Sequence, residues 1–428
     1  MKIAYIVGSF PHVSETFIVN QILGIAARGH SVDVFTTVSK VTDRARTAAQ
    51  PNRMLERTHS LYGSPNILMR FVTAIGLLIE EGWRAPRLVW RSLNVTRYGR
   101  PAASLGLLVA GLTVRRLQRD GVYDVIHCQF GTYGVAALRL REIGAISGKV
   151  VTSFRGFDAT KYLRAHPHAY DALFSAGDLF LPVSRSLADR LVESGCDRSK
   201  VVVLHSGIEC AKLKYIERNL GESGPAKVLT IGRLTEKKGI EYAIQAVAKV
   251  MASGRKLSYT IVGDGPMRNG LQGMVNELGI GRHVQLLGWQ GHEEVIRLIE
   301  TSHVLLAPSI TAADGDEEGI PNALKEAMTT ALPVISTVHG GIPELVENGI
   351  SGYLVPQRDV EAIADRLTRL IDHPQGWAAM GRAARKRVMA EFDIDKLNDE
   401  LDRLYQAVTS APRSVSAIND ERARRKLS

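Results

Sequence analysis

The sequence predicts an α/β protein of two domains, each built on a parallel, Rossmann-type sheet. Three observations carry that expectation. Short apolar runs of strand length alternate with segments of helical periodicity, the pattern of βαβ units with right-handed crossovers. The alternation runs twice, in two series divided by the Gly-, Ser- and Pro-bearing stretch 219–225, whose composition suits a linker. The chain has 428 residues, room for two separate cores at roughly 100–200 residues per domain.

The first series opens with the apolar run Lys2 to Val7, halted by Gly8-Ser9. A helical pattern follows (Phe17, Ile18, Ile22, Leu23, Ile25, Ala26) and ends at Gly29-His30, so the first unit reads strand, glycine turn, helix. Further strands are expected at 31–36, 124–128, 149–154 and 179–183. The second series places strands at 227–231, 257–262, 284–287, 304–307, 333–336 and 352–355, with helical patterns at 239–252, 292–301 and 321–330. Leu397, Leu401, Leu404, Tyr405 and Val408 mark one more amphipathic helix. The expected organisation is a first domain over 1–218, a second over 219–390, a final helix over 391–410 and a basic, disordered tail over 411–428.

Charge is unevenly spread. Lys and Arg number 54 against 44 Asp and Glu, a formal charge of +10, while 45% hydrophobic and 23% charged residues exclude a disordered or collagen-like chain. Residues 64–119 hold nine arginines and two acids, and 411–428 hold five basic residues and two acids, which accounts for the whole excess. Residues 64–119 also break the alternation, with two helix-length apolar patterns and Trp83 and Trp90 near the arginines. They are either a helical insertion with a solvated arginine face or an interfacial amphipathic surface for anionic head groups. Nucleic acid ranks last as a partner, because no RNP, helix-turn-helix or finger pattern accompanies the arginines. Three cysteines make neither a disulfide framework nor a metal pair, so a reducing compartment is expected. No apolar run reaches the roughly 20 residues of a membrane span, and Ile3 to Val7 is too short for a signal-peptide core.

The residues fit for chemistry gather in the second series. Glu318 lies in the polar loop at the carboxyl end of the strand 304–307, where open α/β sheets place ligands. Pro321 suits the first turn of the following helix, which carries Glu326, and the free N–H groups around Gly319 and Ile320 face an anion with the helix dipole assisting. After the strand 227–231 the turn Gly232-Arg-Leu-Thr-Glu-Lys-Lys-Gly239 brings Arg233 and Lys238, two cations able to clamp a pyrophosphate. Gly263-Asp-Gly-Pro266 and His339-Gly-Gly-Ile-Pro-Glu344 add glycine-bearing loops on the same edge. Together these loops point to a nucleotide-sugar pocket.

These motifs resemble the donor lobe of retaining glycosyltransferases of family four. The resemblance rests on Gly232 to Gly239, Gly263 to Pro266, Glu318 and Glu326 with Glu-Ala-Met328, and Gly340 to Glu344. The first half is similar to transferases of exopolysaccharide assembly of the colanic-acid and amylovoran kind, through Ser9-Phe-Pro11, Ser14-Glu-Thr-Phe17, Asp124 to His127, Val183 to Leu187 and His205 to Ile208. It implies the GT-B fold of two facing Rossmann-like domains, with the last helix returning to the first. It also implies roles. Arg233 and Lys238 neutralise the departing diphosphate in place of a metal, so no metal or other cofactor is expected, and Asp314-Gly-Asp316 belongs to an acceptor or sugar loop. Glu326 holds the ribose; Glu318 with the Gly319 and Ile320 amides meets the sugar and its phosphate; Gly8 and Ser9 approach the diphosphate from the first domain. The base lies by Gly288-Trp-Gln-Gly291, making Trp289 and Gln290 donor residues beside Gly263. Ser14, Glu15, His127 and Asp158 fall on the acceptor side.

Two departures mark the first half. Where the family often has His-Gly-x-Asp, this chain reads Arg155-Gly-Phe-Asp158, and a second histidine common two residues after His127 is Gln129. Arg155 stays charged and stabilises phosphate rather than acting as a base. The expected function is retaining transfer from a nucleotide-diphosphate sugar to a polyprenyl-diphosphate-linked glycan, in the cytoplasm on the inner face of the plasma membrane, with 64–119 on an anionic surface. The alternatives are a nucleotide-sugar epimerase of the same fold and a degenerate assembly scaffold.

Overall fold

A computed structural model describes residues 1–11, 16–37, 52–63, 66–118, 121–218 and 224–410. Ser14, Glu15 and the basic tail lie outside the described residues. The first domain is a six-stranded sheet of β1 (Lys2–Val7), β2 (Ser31–Thr36), β3 (Thr58–Ser60), β4 (Val125–Cys128), β5 (Lys149–Phe154) and β6 (Leu179–Pro182), in the order β3-β2-β1-β4-β5-β6. The second has β7 (Ala226–Ile231), β8 (Leu257–Val262), β9 (Val284–Gly288), β10 (Val304–Ala307), β11 (Val334–Thr337) and β12 (Tyr353–Val355), in the order β12-β11-β10-β7-β8-β9. All pairings are parallel, so both sheets are doubly wound and share one topology. Strand order reverses between β1 and β4 in one sheet and between β7 and β10 in the other. Those switch points are where such sheets leave a crevice for ligand.

The apolar runs become strands because both faces of each sheet are covered. In β1 the residues Ile3 to Val7 are all buried, the near-continuous burial that parallel sheets require. Strand β3 is the one that the apolar pattern does not announce. It is three residues of Thr-His-Ser, paired to β2 through Thr58, His59 and Ser60 and carrying no hydrophobic signal.

One face of the first sheet is covered by helix Thr16–Ala27 together with the last helix, Ile394–Thr409. Leu397, Leu401, Leu404 and Tyr405 join Ile3, Tyr5 and Val7 in one apolar cluster. The Tyr5 and Tyr405 hydroxyls are 2.8 Å apart, Arg28 pairs with Asp399 at 2.6 Å and His30 with Asp402 at 2.7 Å. The last helix thus returns to the first domain.

The connection between the domains lies earlier than the 219–225 stretch. Ile208, Cys210 and Leu213 pack in the second domain's cluster with Leu229, Leu305 and Leu324. Buried Arg218 donates to the carbonyls of Ser302 and Ile299 at 3.0 and 2.9 Å. The chain therefore crosses at Ser206–Ile208 and recrosses at 392–394. The two passes lie side by side, with Ile208 N–H on Phe392 O and Ile394 N–H on Ile208 O, both at 3.0 Å. The boundary expected at 218 moves because an apolar segment before a linker packs on whichever core it fits.

Residues 66–118 form the β3–β4 crossover, enlarged into helices Ile67–Glu81, Pro86–Ser92, Val95–Tyr98, Arg100–Ala103 and Gly106–Leu117. Helix Gly106–Leu117 is almost wholly buried, under the outer helices and against Ile143 and Ala145 of the sheet-covering layer.

Candidate active site

The loops at the carboxyl edge of the second sheet converge on Glu318. Its carboxylate lies 3.1 Å from the Lys238 ammonium and 3.5 Å from that of Lys237, which also meets Asp316 at 3.1 Å. Burial alone would raise the Glu318 carboxyl, but Lys238 and Lys237 outweigh it and hold it at about 2. The Glu318 N–H donates to Nε2 of buried His339 at 3.1 Å. Burial, against the pull of Glu317 and Glu318, keeps that imidazole below its ordinary value and so able to accept. The next two N–H groups, of Gly319 and Ile320, donate to no described residue. They immediately precede helix Asn322–Thr329, which Pro321 flanks from just outside.

Arg233 is exposed and forms no ion pair with a described residue. Glu326 is half-buried, and burial raises its carboxyl against the opposing pull of His292 and Lys325. Gly263 (φ +134°) brings the β8 turn so close to the Gly232 carbonyl that a Cβ would stand 1.9 Å from the oxygen. Trp289 is exposed beside it, and Gln290 folds back to donate to Leu287 O at 3.1 Å. The expected donor residues of the second domain therefore share one edge.

The facing edge of the first sheet is built differently, and its polar groups are spoken for. Asp158, expected on the acceptor side, is buried; it accepts from the N–H groups of Gly131, Arg155 and Gly156 at 2.9, 3.0 and 3.1 Å. It holds the 155–158 turn and the start of helix Gly131–Glu142. His127 is also buried rather than facing an acceptor. Its Nε2 meets Ser153 Oγ at 2.8 Å and its Nδ1 the Tyr405 hydroxyl, so it ties β4 to β5 and to the last helix. Burial, then Arg155, hold it neutral. Arg155 lies on the Phe17 ring at 4.7 Å and donates to the side-chain oxygens of Gln129 and Gln21. The two departures from the family pattern, Arg155 and Gln129, are hydrogen-bonded partners. Gly8 lies under Tyr133, whose hydroxyl would be 2.6 Å from a Cβ there. Ser9 is half-buried in the turn after β1.

Comparisons with known proteins show the family. The Glycosyltransferase Family 4 profile matches residues 14–212 and the Glycosyl transferases group 1 profile residues 212–387. The putative colanic acid biosynthesis glycosyltransferase WcaL of Salmonella typhimurium is 34% identical over 421 residues, 95% of this chain and all of the relative. The chain belongs to the family-four glycosyltransferases. The amylovoran biosynthesis glycosyltransferase AmsK of Erwinia amylovora is 33% identical over 92% of this chain and 96% of its own. In fold, the transferase is similar to Anabaena HepE in complex with UDP and glucose, with a TM-score of 0.71 at 18% identity over 95% of this chain and 99% of that one. A sucrose-phosphate synthase from Thermosynechococcus elongatus scores 0.72 at 19% identity over 96% of this chain and all of that one.

The two lobes of this glycosyltransferase touch through the same loops. Gly319 packs on the Arg155 carbonyl and Val183, leaving no room for a side chain. Glu317 pairs with Arg190 at 2.6 Å, Asp314 with Lys161 at 2.6 Å, and Glu344 accepts from the Arg185 N–H at 2.7 Å. Asp314-Gly-Asp316, expected in an acceptor or sugar loop, makes a lobe-to-lobe contact through Asp314, with Asp316 turned to Lys237. Three participants escape sequence reasoning. Lys237 is indistinguishable from Lys238 in sequence until the turn aims both. Gln21 looks like a polar break on a helix face. Lys325 reads as a solvated helix residue, yet it is buried and donates to the Ser206 carbonyl and hydroxyl at 2.6 and 2.8 Å, where the chain crosses between lobes. Burial brings its ammonium down to about 7.

Proposed function

We propose that this glycosyltransferase moves a sugar from a nucleotide-diphosphate sugar to a polyprenyl-diphosphate-linked glycan, with retention at the anomeric carbon, in the synthesis of a cell-surface polysaccharide. The observation that carries it is the Lys237–Glu318–Lys238 cluster beside the N–H groups of Gly319 and Ile320, which donate to no described residue. As the donor bond breaks, negative charge grows on the leaving diphosphate and the sugar becomes oxocarbenium-like. Fixed cations and amides beside the phosphates favour that state over the bound donor.

Glu318 fixes the lysines without exhausting them. An ammonium has three donors, so Lys238 keeps protons for a phosphate oxygen while bound to the carboxylate. Exposed Arg233 supplies the second arm of the clamp, and Glu326 accepts from the ribose hydroxyls. These cations take the place of a divalent metal. Arg155 adds positive potential from the opposite lobe. The names of WcaL and AmsK support an exopolysaccharide product, and the UDP and glucose of the HepE complex support a nucleotide-sugar donor. A lipid-linked acceptor places the enzyme at the inner membrane face, and no helix among the described residues is long and apolar enough to cross a membrane.

A panel of nucleotide sugars in a thermal-shift assay identifies the donor, since a ligand at 100 times its Kd adds roughly 2.7 kcal/mol. Transfer from that donor to membrane-extracted lipid-linked glycan, with the product's anomeric configuration read by NMR, tests the rest. An inverted product removes the retaining mechanism. Unchanged turnover in Arg233→Ala, Lys238→Ala and Glu326→Ala removes the site.

A further inference from the structure

The β3–β4 crossover leaves a large apolar face uncovered. Helix Ile67–Glu81 turns Ala74, Leu77 and Glu81 inward against Gly106–Leu117. Its outward side carries Leu68, Phe71, Val72, Ile75 and Ile79, all exposed, Ile79 to 73%. Leu68, Val72, Ile75 and Ile79 follow the i, i+4, i+7, i+11 spacing of a single stripe. Trp83, in the turn directly after this helix, and Trp90, in helix Pro86–Ser92, are exposed on the same crossover, Trp90 at 82%. Single exposed apolar residues are ordinary, and such residues lie scattered elsewhere on this surface. Four such residues in one helix stripe, with two exposed tryptophans on the same crossover, are not, and mark an interaction surface.

We infer that this face is a docking surface for an anionic bilayer, with the outer side of helix Ile67–Glu81 lying at the boundary between head groups and acyl chains. The inference rests on the proposed lipid-linked acceptor for its purpose, and on the surface alone for its existence. Charge selects the occupant. Arg84, Arg87, Arg91 and Arg100 are exposed around the patch and form no ion pair with a described residue. Glu80 and Glu81 are the only acids among 66–118, with Glu80 neutralised by Arg116 at 2.9 Å and Glu81 buried. A second copy docked through the same face would set this arginine rim against itself, as a two-fold interface must. Anionic lipid offers the opposite sign. The Arg84 guanidinium also sits 4.6 Å from the Trp83 ring centre, joining a head-group ligand to a boundary aromatic. At 15 residues the helix is about 22 Å long, short of the roughly 30 Å hydrocarbon core, so it lies in the interface instead of spanning it.

The test is flotation of the full chain with vesicles of phosphatidylcholine alone or with phosphatidylglycerol added. Binding to the anionic vesicles at least tenfold tighter, weakening with salt, is expected, and brominated lipid should quench fluorescence that a Trp83→Phe/Trp90→Phe variant lacks. Phe71→Ser/Ile79→Ser should lose vesicle binding at least tenfold with unchanged melting and donor-induced thermal shift, and Arg87→Glu/Arg100→Glu should lose the preference for anionic lipid. Equal flotation of wild type and the serine variant overturns the inference. So does a dimer in solution that the serine variant dissociates, which makes the face a contact between copies. Vesicle binding without sugar transfer removes the proposed reaction and leaves this surface standing; transfer to extracted lipid-linked glycan without vesicle binding does the reverse.

Discussion

The two sheet edges whose loops meet between the lobes share one topology and similar motif density, yet they use their polar residues in opposite ways. On the first edge Asp158, His127 and the Arg155–Gln129–Gln21 group satisfy one another or the backbone. On the second edge the polar groups are gathered but not consumed: Arg233 is unpaired among the described residues, two N–H groups have no described acceptor, and the half-buried Glu326 carboxyl is raised. The first edge closes its hydrogen bonds within the chain and so holds the fold, while the second keeps donors open, the spare protons of the paired Lys238 ammonium among them.

The contrast can be broken, most severely at Asp158. Asp158→Ala strands three buried N–H groups and should cost about 3–5 kcal/mol of first-domain stability in urea unfolding. A variant that melts like wild type but stops turning over would make the first edge a ligand site too. Next in size, Lys238→Ala should fold, because Lys237 still neutralises Glu318, while turnover falls roughly 10²–10³-fold. A loss confined to stability would place Lys238 with the fold.

Acidification sharpens the contrast further. The Glu318 carboxyl is held at about 2, below its ordinary 4.5, so its contribution is complete above that ordinary value and disappears as pH falls towards 2. The acid-unfolding profile of Glu318→Gln should lack that component. Smallest is Lys325. Its folded value of about 7 lies below the ordinary 10.5, so the unfolded chain holds more protons between the two and stability rises with pH across that window. Lys325→Met should flatten the rise in thermal melts taken over pH 7–10; an unchanged slope would return Lys325 to an ordinary surface charge.

Both sheets are legible in the sequence because buried parallel strands write themselves as apolar runs, and the second edge is legible because glycine turns and paired carboxylates sit at fixed offsets from those runs. What stays hidden is what depends on partners distant in sequence. His127 finds Tyr405 and Ser153, Arg155 finds Gln129 and Gln21, and Lys325 finds Ser206. The same histidine in the same strand could have faced the cleft. Strand β3 stays hidden for another reason: three polar residues are recruited by the edge of β2 rather than by burial.

The return of helix Ile394–Thr409 to the first sheet carries a consequence for how the protein is made. The second lobe is a continuous stretch of chain from about Ile208 to Phe392 and can complete its core as soon as it leaves the ribosome. The N-terminal lobe, although synthesised first, must wait with Ile3, Tyr5 and Val7 lacking part of their cover until helix Ile394–Thr409 emerges. Order of synthesis and order of completion are therefore reversed in this chain, and a stop codon ahead of Ile394 would leave the earlier-made half unfinished.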